Sequence, residues 1–343
     1  MFNNKIRIIL LTIVVMVFFG ACSNTEESEV ETTSNDNQST TSVASTTSAV
    51  VEVGDPAIVA KNYYNPDSIV SVDWLNDHLQ EANIKIIDVR KLSDDPEKGY
   101  QSGHIPGSIN IPGNTTFQVE NDGVKGVLPT ATHIEGVLSQ AGIKPDDTII
   151  FYDDIKSLWA SRAYWGMEVY GHKNIKLLDG DIKLWTSKGL PISKEVPEIT
   201  VSNYEFTTAV TDDHIIGWEE VKSSIENDSS VVCDTRSPDE YSGKDVRAER
   251  GGHIPGSINV NWVGNAADDG TFLPAADLKK LYANAQIGGD KGVYTLCQTA
   301  VRATHTWFVL HELLGYDDVR VYDGSWTEWG NKTIDETPID IKA

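Results

Sequence analysis

The run Cys297-Gln298-Thr299-Ala300-Val301-Arg302 sets a thiol and a guanidinium at the two ends of a short polar turn. The apolar stretch GVYTL ahead of it reads as a strand. The periodic run from Val301 to Leu314, stopped by Gly315, reads as a helix with Val301, Trp307, Leu310, Leu313 and Leu314 on one side. The chemistry this spacing permits is nucleophilic. A cysteine that closes a strand just before a helix N-terminus lies in the crevice where doubly wound sheets bind ligands. Backbone amides of Gln298, Thr299, Ala300, Val301 and Arg302 can face inward as an anion nest, and the Arg302 charge adds to the helix dipole. Both terms favour the thiolate, which is the attacking form of cysteine. Cys233, inside the apolar run VVCD, reads as a buried thiol without a chemical role.

The elements that must position this turn are written twice. The octapeptide GHIPGSIN occurs at 103–110 and again at 252–259. Each copy follows an apolar strand that ends in Asp-x-Arg, at Asp88 and Arg90 and at Asp234 and Arg236. TIIFYDD (148–154) answers GVYTLC (292–297), and KNIKLLDGDIKLW (173–185) answers DDVRVYDGSWTEW (317–329). The period, roughly 145 residues, is the length of a domain and too long for a solenoid repeat. Short apolar runs alternate with helical patterns in each half, which predicts an α/β fold of two tandem domains, each a parallel sheet with helices on both faces. Proline and glycine make the octapeptide a connector into the next strand. Its histidines, His104 and His253, stand in both copies and are expected to serve the shared scaffold. Chemistry belongs where the halves differ, and Asp153 stands where the second half has Cys297.

The chain has 343 residues, 40% hydrophobic, enough for two domains with cores of their own. A formal net charge of -23 excludes nucleic acid as a partner and means that a small anion must be captured by local positive potential. Lys5 and Arg7 precede an apolar run from Ile8 to Phe19, too short for a membrane helix, which reads as an export signal over residues 1–21. Its ending, Gly20-Ala21-Cys22, resembles the lipobox of bacterial lipoproteins, with Phe19 in place of the usual leucine. That resemblance implies lipidation of Cys22 and an exported, outward-facing protein held at the cell membrane by lipid alone. The Ser-, Thr- and acid-rich stretch that follows, through residue 60, has nothing to bury and serves as a solvated tether.

The paired GHIPGSIN motifs, DTRSPDEYSG, CQTAVR and YDGSWTEWG resemble the tandem-domain rhodaneses, the thiosulfate and 3-mercaptopyruvate sulfurtransferases, over about residues 62–338. The resemblance implies a noncatalytic first domain at 62–195, a linker at 196–212 and a catalytic second domain at 213–338. It implies that Cys297 takes a sulfane sulfur as a persulfide and passes it to cyanide or a thiol, with no metal or organic cofactor. Two positions depart from the family. Thr299 stands where thiosulfate-specific members carry a cation, and Glu240 lies near the place of a further arginine, for which Arg247 and Arg250 are the candidate replacements. The donor therefore stays open between thiosulfate and 3-mercaptopyruvate.

Rival readings fall on spacing. Phosphatases on the same scaffold use a loop one residue longer between cysteine and arginine. HELLG at His311 is half of a zinc-peptidase motif, with Gly315 where the second histidine would stand. The pairs Asp153-Asp154 and Asp268-Asp269 lack calcium-loop spacing and read as solvated turns. A lipid-tethered binding module without turnover is the remaining alternative.

Overall fold

The computed structural model describes residues 54–207, 212–226 and 230–341. In the first half, strands β1 (Ile69–Ser71), β2 (Ile84–Asp88), β3 (Ile109–Asn110), β6 (Thr148–Tyr152) and β7 (Ile175–Asp179) form one parallel sheet in the order β1-β7-β6-β2-β3. Between β3 and β6 a separate antiparallel hairpin is made by β4 (Val119–Asn121) and β5 (Val124–Val127). The second half repeats the main sheet. Strands β8 (Ile215–Ile216), β9 (Ser230–Asp234), β10 (Ile258–Asn259), β11 (Gly292–Leu296) and β12 (Val319–Tyr322) run in parallel in the order β8-β12-β11-β9-β10. The α/β class with two like domains is therefore as the sequence pattern predicts. β2, β6, β9 and β11 are central and covered on both faces, which is why IKIID, TIIFY, SVVCD and GVYTL read as near-continuous apolar runs.

The repeated motifs turn out to lock strand ends. Asp234 accepts from Arg236 Nε (2.9 Å to Oδ1) and Nη2 (2.6 Å to Oδ2), and the same Nη2 donates to Gly252 O at 2.8 Å. Asp88, Arg90 and Gly103 repeat this arrangement. His104 stacks on Tyr100 and His253 on Tyr241, each with Nδ1 2.9 Å from a tyrosine carbonyl. Asn259 closes the connector by donating to the carbonyls of Asp234 and Arg236, both at 2.9 Å. A buried ion pair with both carboxylate oxygens and the guanidinium Nε and Nη2 engaged is tolerated in a core, and here it ties the octapeptide to the β2 and β9 ends.

The helix after Cys297 is not one-sided: Val301 and Ala303 through Leu310 are all buried, and its α-helical part, Val301–Phe308, passes into a π-helical turn, Val309–Leu313, before Gly315 at φ 73°. The described residues form one compact unit, within which this helix packs against its counterpart, Leu158–Val169. Residues Ala160 to Val169 of that counterpart are likewise all buried. A helix clamped between its own sheet and a second domain has no wet face, so its polar residues (Thr304, His305, Thr306) are buried with partners.

Candidate functional site

β11 delivers Cys297 to the carboxyl edge of the second sheet, and the chain turns into its helix through Ala300, which takes the left-handed conformation at φ 60°. The turn is held from behind by the segment after β12. Ser325 Oγ accepts the amides of Cys297 and Ala300, both at 3.1 Å, and itself donates to Tyr322 O at 2.9 Å. Trp326 and Thr327 amides donate to the carbonyls of Cys297 and Gln298, both at 3.0 Å. Of the remaining amides in the turn, that of Val301 bonds back to Thr299 O at 2.9 Å. Those of Gln298, Thr299 and Arg302 have no acceptor among the described residues, which leaves a set of donors for an anion at the turn. Ala300 and Val301, expected to contribute amides to the nest, instead use theirs internally.

Cys297 is 1% exposed, at the base of the turn, and both described cysteines are free. Burial alone pushes the Cys233 thiol far up, with the Asp234 charge acting in the same direction. Cys233 thus stays a neutral core thiol, as its apolar strand suggests. Arg302 is set differently. Burial opposes its charge, but Glu240 and the Cys297 sulfur outweigh that and hold the guanidinium above its ordinary value. The Arg302–Glu240 pair is bidentate, Nη1 to Oε2 at 2.7 Å and Nη2 to Oε1 at 2.9 Å. Burial would raise the Glu240 carboxyl, yet Arg302 and the Ser237 amide and hydroxyl bring it down to about 2. Glu240 is thus the brace of Arg302.

The other candidate cations part company. Arg247 is half-exposed, bonds Asp245 through Nε at 2.9 Å and reaches Glu240 at 3.4 Å, so it stands beside the Arg302 pair; its carbonyl accepts from Gln298 Nε2 at 2.9 Å. Arg250 turns away: its guanidinium donates to Trp329 O (2.6 Å), Thr337 O (2.9 Å) and Thr337 Oγ1 (2.6 Å), which anchors the chain after the last helix.

The equivalent place in the first half is already filled. The Asp153 carboxylate accepts four backbone amides, from Ile155 (2.8 Å), Ser157 (3.0 Å), Trp159 (2.8 Å) and Ala160 (3.2 Å). It is fully buried in its own nest, not part of the solvated turn that its sequence suggests. Burial pushes this carboxyl up to about 6, against the pull of those amides. The left-handed helix cap comes at Ser157, four positions after Asp153, but at Ala300, three positions after Cys297. The first turn is one residue longer and places Trp159 where the second has Arg302, so it offers no thiol, and no cation at the place of Arg302.

Sequence reasoning missed three residues here: Ser325, Glu240 as the partner of Arg302, and Arg162, whose guanidinium crosses to Asp323 at 2.7 Å. A signal for the first lay in the repeated LDGD and YDGS, where the last position differs between halves.

A family model described as the rhodanese-like domain matches residues 71–188 and again 218–332. The chain is 36% identical over 276 residues to a putative thiosulfate sulfurtransferase of Haloferax volcanii, covering 78% of this chain and 95% of that protein. It is 35% identical over 286 residues to a thiosulfate sulfurtransferase of Corynebacterium glutamicum (81% and 92%) and 35% identical over 286 residues to a sulfur carrier protein of Thermus thermophilus (78% and 95%). Among solved structures, the anaerobic ergothioneine biosynthesis enzyme of Chlorobium limicola superimposes with a TM-score of 0.71 at 23% identity, over 82% of this chain and 72% of that one. At that identity it speaks for the fold alone.

Proposed function

Since the chain belongs to the rhodanese family, as a tandem pair of rhodanese-like domains and a sulfurtransferase, we propose that it moves a sulfane sulfur through a persulfide on Cys297. The observation that carries this is the turn itself: a thiol at a strand end, unengaged amides of Gln298, Thr299 and Arg302 around it, and a guanidinium braced by Glu240 beside its sulfur. With thiosulfate as donor, the Cys297 thiolate attacks the outer sulfur; the S–S bond breaks and sulfite leaves with its electron pair. With 3-mercaptopyruvate, the C–S bond breaks and pyruvate leaves after taking up a proton. The persulfide anion is then held by the amides and by Arg302. A thiolate or cyanide attacks its terminal sulfur, and Cys297 departs as thiolate. Every step is a nucleophilic displacement at sulfur in which one electron pair enters as another leaves, so the reaction needs no metal or organic cofactor.

Burial of Cys297 fits this role, because a donor has to present only one terminal sulfur to the turn, while bulk oxidants are kept from the thiol. The first domain, whose nest is closed by Asp153, takes no part in the covalent steps. Cys22 and the segment before it lie outside the described residues. Export and lipidation at Cys22 rest on Lys5, Arg7, the apolar run and the Gly-Ala-Cys ending. Replacement of Cys297 by Ser tests the reading. Incubation with thiosulfate should add one sulfur to the mass of the wild type and none to Cys297→Ser, and transfer to cyanide should vanish; undiminished transfer by the variant refutes it.

A further inference from the structure

The β4–β5 hairpin of the first domain lies against the catalytic turn of the second. At Gly126, φ 91°, an added Cβ would stand 2.6 Å from Thr299 Cβ and 3.0 Å from Thr299 O, so the two backbones meet where only glycine fits. One residue earlier, Lys125 O accepts from Thr327 Oγ1 at 2.9 Å, and the amide of that same Thr327 holds Gln298 O. What fastens this junction is Arg162, in the helix Leu158–Val169, with no exposed surface. Its Nε donates to Phe117 O and its Nη2 to Gly126 O, both at 2.9 Å, and its Nη1 reaches Asp323 Oδ1 at 2.7 Å. The other Asp323 oxygen accepts the Leu128 amide at 2.6 Å. Asp323 stands two positions before Ser325, whose hydroxyl carries the amides of Cys297 and Ala300.

We propose that Arg162 is a positioning residue for sulfur transfer at Cys297, and that the first domain, itself without a nucleophile, serves the reaction by holding the catalytic turn through it. The claim rests on Cys297 being the nucleophile. One guanidinium fixes three partners in three directions: the strand entry at Phe117, the hairpin that backs Thr299, and the Asp323 turn that backs Cys297. A planar five-donor fork can do this, and a lysine ammonium can satisfy Asp323 but cannot also keep both carbonyls in the same plane. Without the fork, a partly buried carboxylate and two buried carbonyls lose their donor together, and the two backings of the turn move independently. Misplacement of a nucleophile acts on turnover, so kcat should carry the effect.

The test compares Arg162→Lys, Arg162→Met and Thr327→Val with wild type in the full chain, at a temperature where each is folded by circular dichroism. Three quantities are read: kcat with thiosulfate and cyanide, the thiosulfate KM, and the rate at which iodoacetamide alkylates Cys297, followed by peptide mass. Both Arg162 variants should lose about tenfold to a hundredfold in kcat with KM moved by less than about threefold, and the alkylation rate should fall with kcat. Lysine should not rescue. Thr327→Val removes the hydroxyl link to Lys125 O in the hairpin, together with its local bond to Gly324 O, and leaves Arg162 in place; it should shift both rates in the same direction by a smaller factor. If Arg162→Met folds and keeps both rates within about twofold of wild type, the proposal is wrong. If it does not fold, Thr327→Val decides, and unchanged rates there overturn it. Alkylation reports the turn even if Cys297→Ser proved active, so failure of the persulfide reading and failure of this one are told apart.

Discussion

Replacing Ser325 by alanine removes a single oxygen and leaves two amides, those of Cys297 and Ala300, without their acceptor. Ser325 is fully buried, as are Cys297 and Ala300, so water does not stand in. A buried amide deprived of its partner costs about 1–3 kcal/mol, so the pair amounts to about 2–6 kcal/mol before relaxation. At about 2–4 °C per kcal/mol for a chain of this size, a loss near ~3 kcal/mol lowers the melting temperature by about 10 °C. Ser325 also sits at φ 48°, where a side chain is strained. Ser325→Gly removes the same oxygen but relieves that strain, worth about 1 kcal/mol, so it should melt about 3 °C above Ser325→Ala. Both variants free the turn, and kcat/KM for transfer to cyanide should fall by about a hundredfold in each. Calorimetry and initial rates measure the two effects. An alanine variant that melts within about 1 °C of wild type would show that the hydroxyl does not carry those amides, and unchanged kcat/KM would show that their geometry is irrelevant to the reaction.

Arg302→Lys keeps a charge near Cys297 but loses the bidentate pair with Glu240; kcat/KM should fall by at least about tenfold, and a rate equal to wild type would remove Arg302 from the anion site. Asp153 gives a pH signature. Its carboxyl is raised from 3.8 to about 6 in the fold, so the folded state binds that proton more tightly than the unfolded chain. Stability from this group is therefore greatest below the lower value and declines as pH rises through the interval, by about 3 kcal/mol in all. Denaturant titrations between pH 4 and 6 should show that decline in wild type and a shallower one in Asp153→Asn; parallel slopes would contradict it.

Much of the scaffold was legible because it is local. The short apolar runs in each half, the Asp-x-Arg strand ends and the duplicated octapeptide carry their meaning within a few neighbouring residues, and the sheets follow from them. The place of Cys297 was legible for the same reason: strand end, polar turn, cation and helix start are contiguous. The helix after it was misread as one-sided because periodicity assumes a wet face, and packing against Leu158–Val169 removes that face. Arg250 looked like a substrate cation from its place before GGHIPG, yet its donors go to Trp329 and Thr337, far along the chain.

The sequence by itself determined that a domain was duplicated, that each copy is a parallel α/β layer, and that a cysteine survives at one strand end while an aspartate took the other. Tertiary structure decided how those two side chains live. Glu240 meets Arg302 across 62 positions, Ser325 reaches back 28 to Cys297, and Arg162 spans 161 to Asp323. Such pairs depend on the closing of sheets and the packing of two helices, and no local pattern encodes them. Direct neighbours along the chain settle which groups are present; burial and the partner brought from afar settle whether a carboxylate fills a nest or braces a cation.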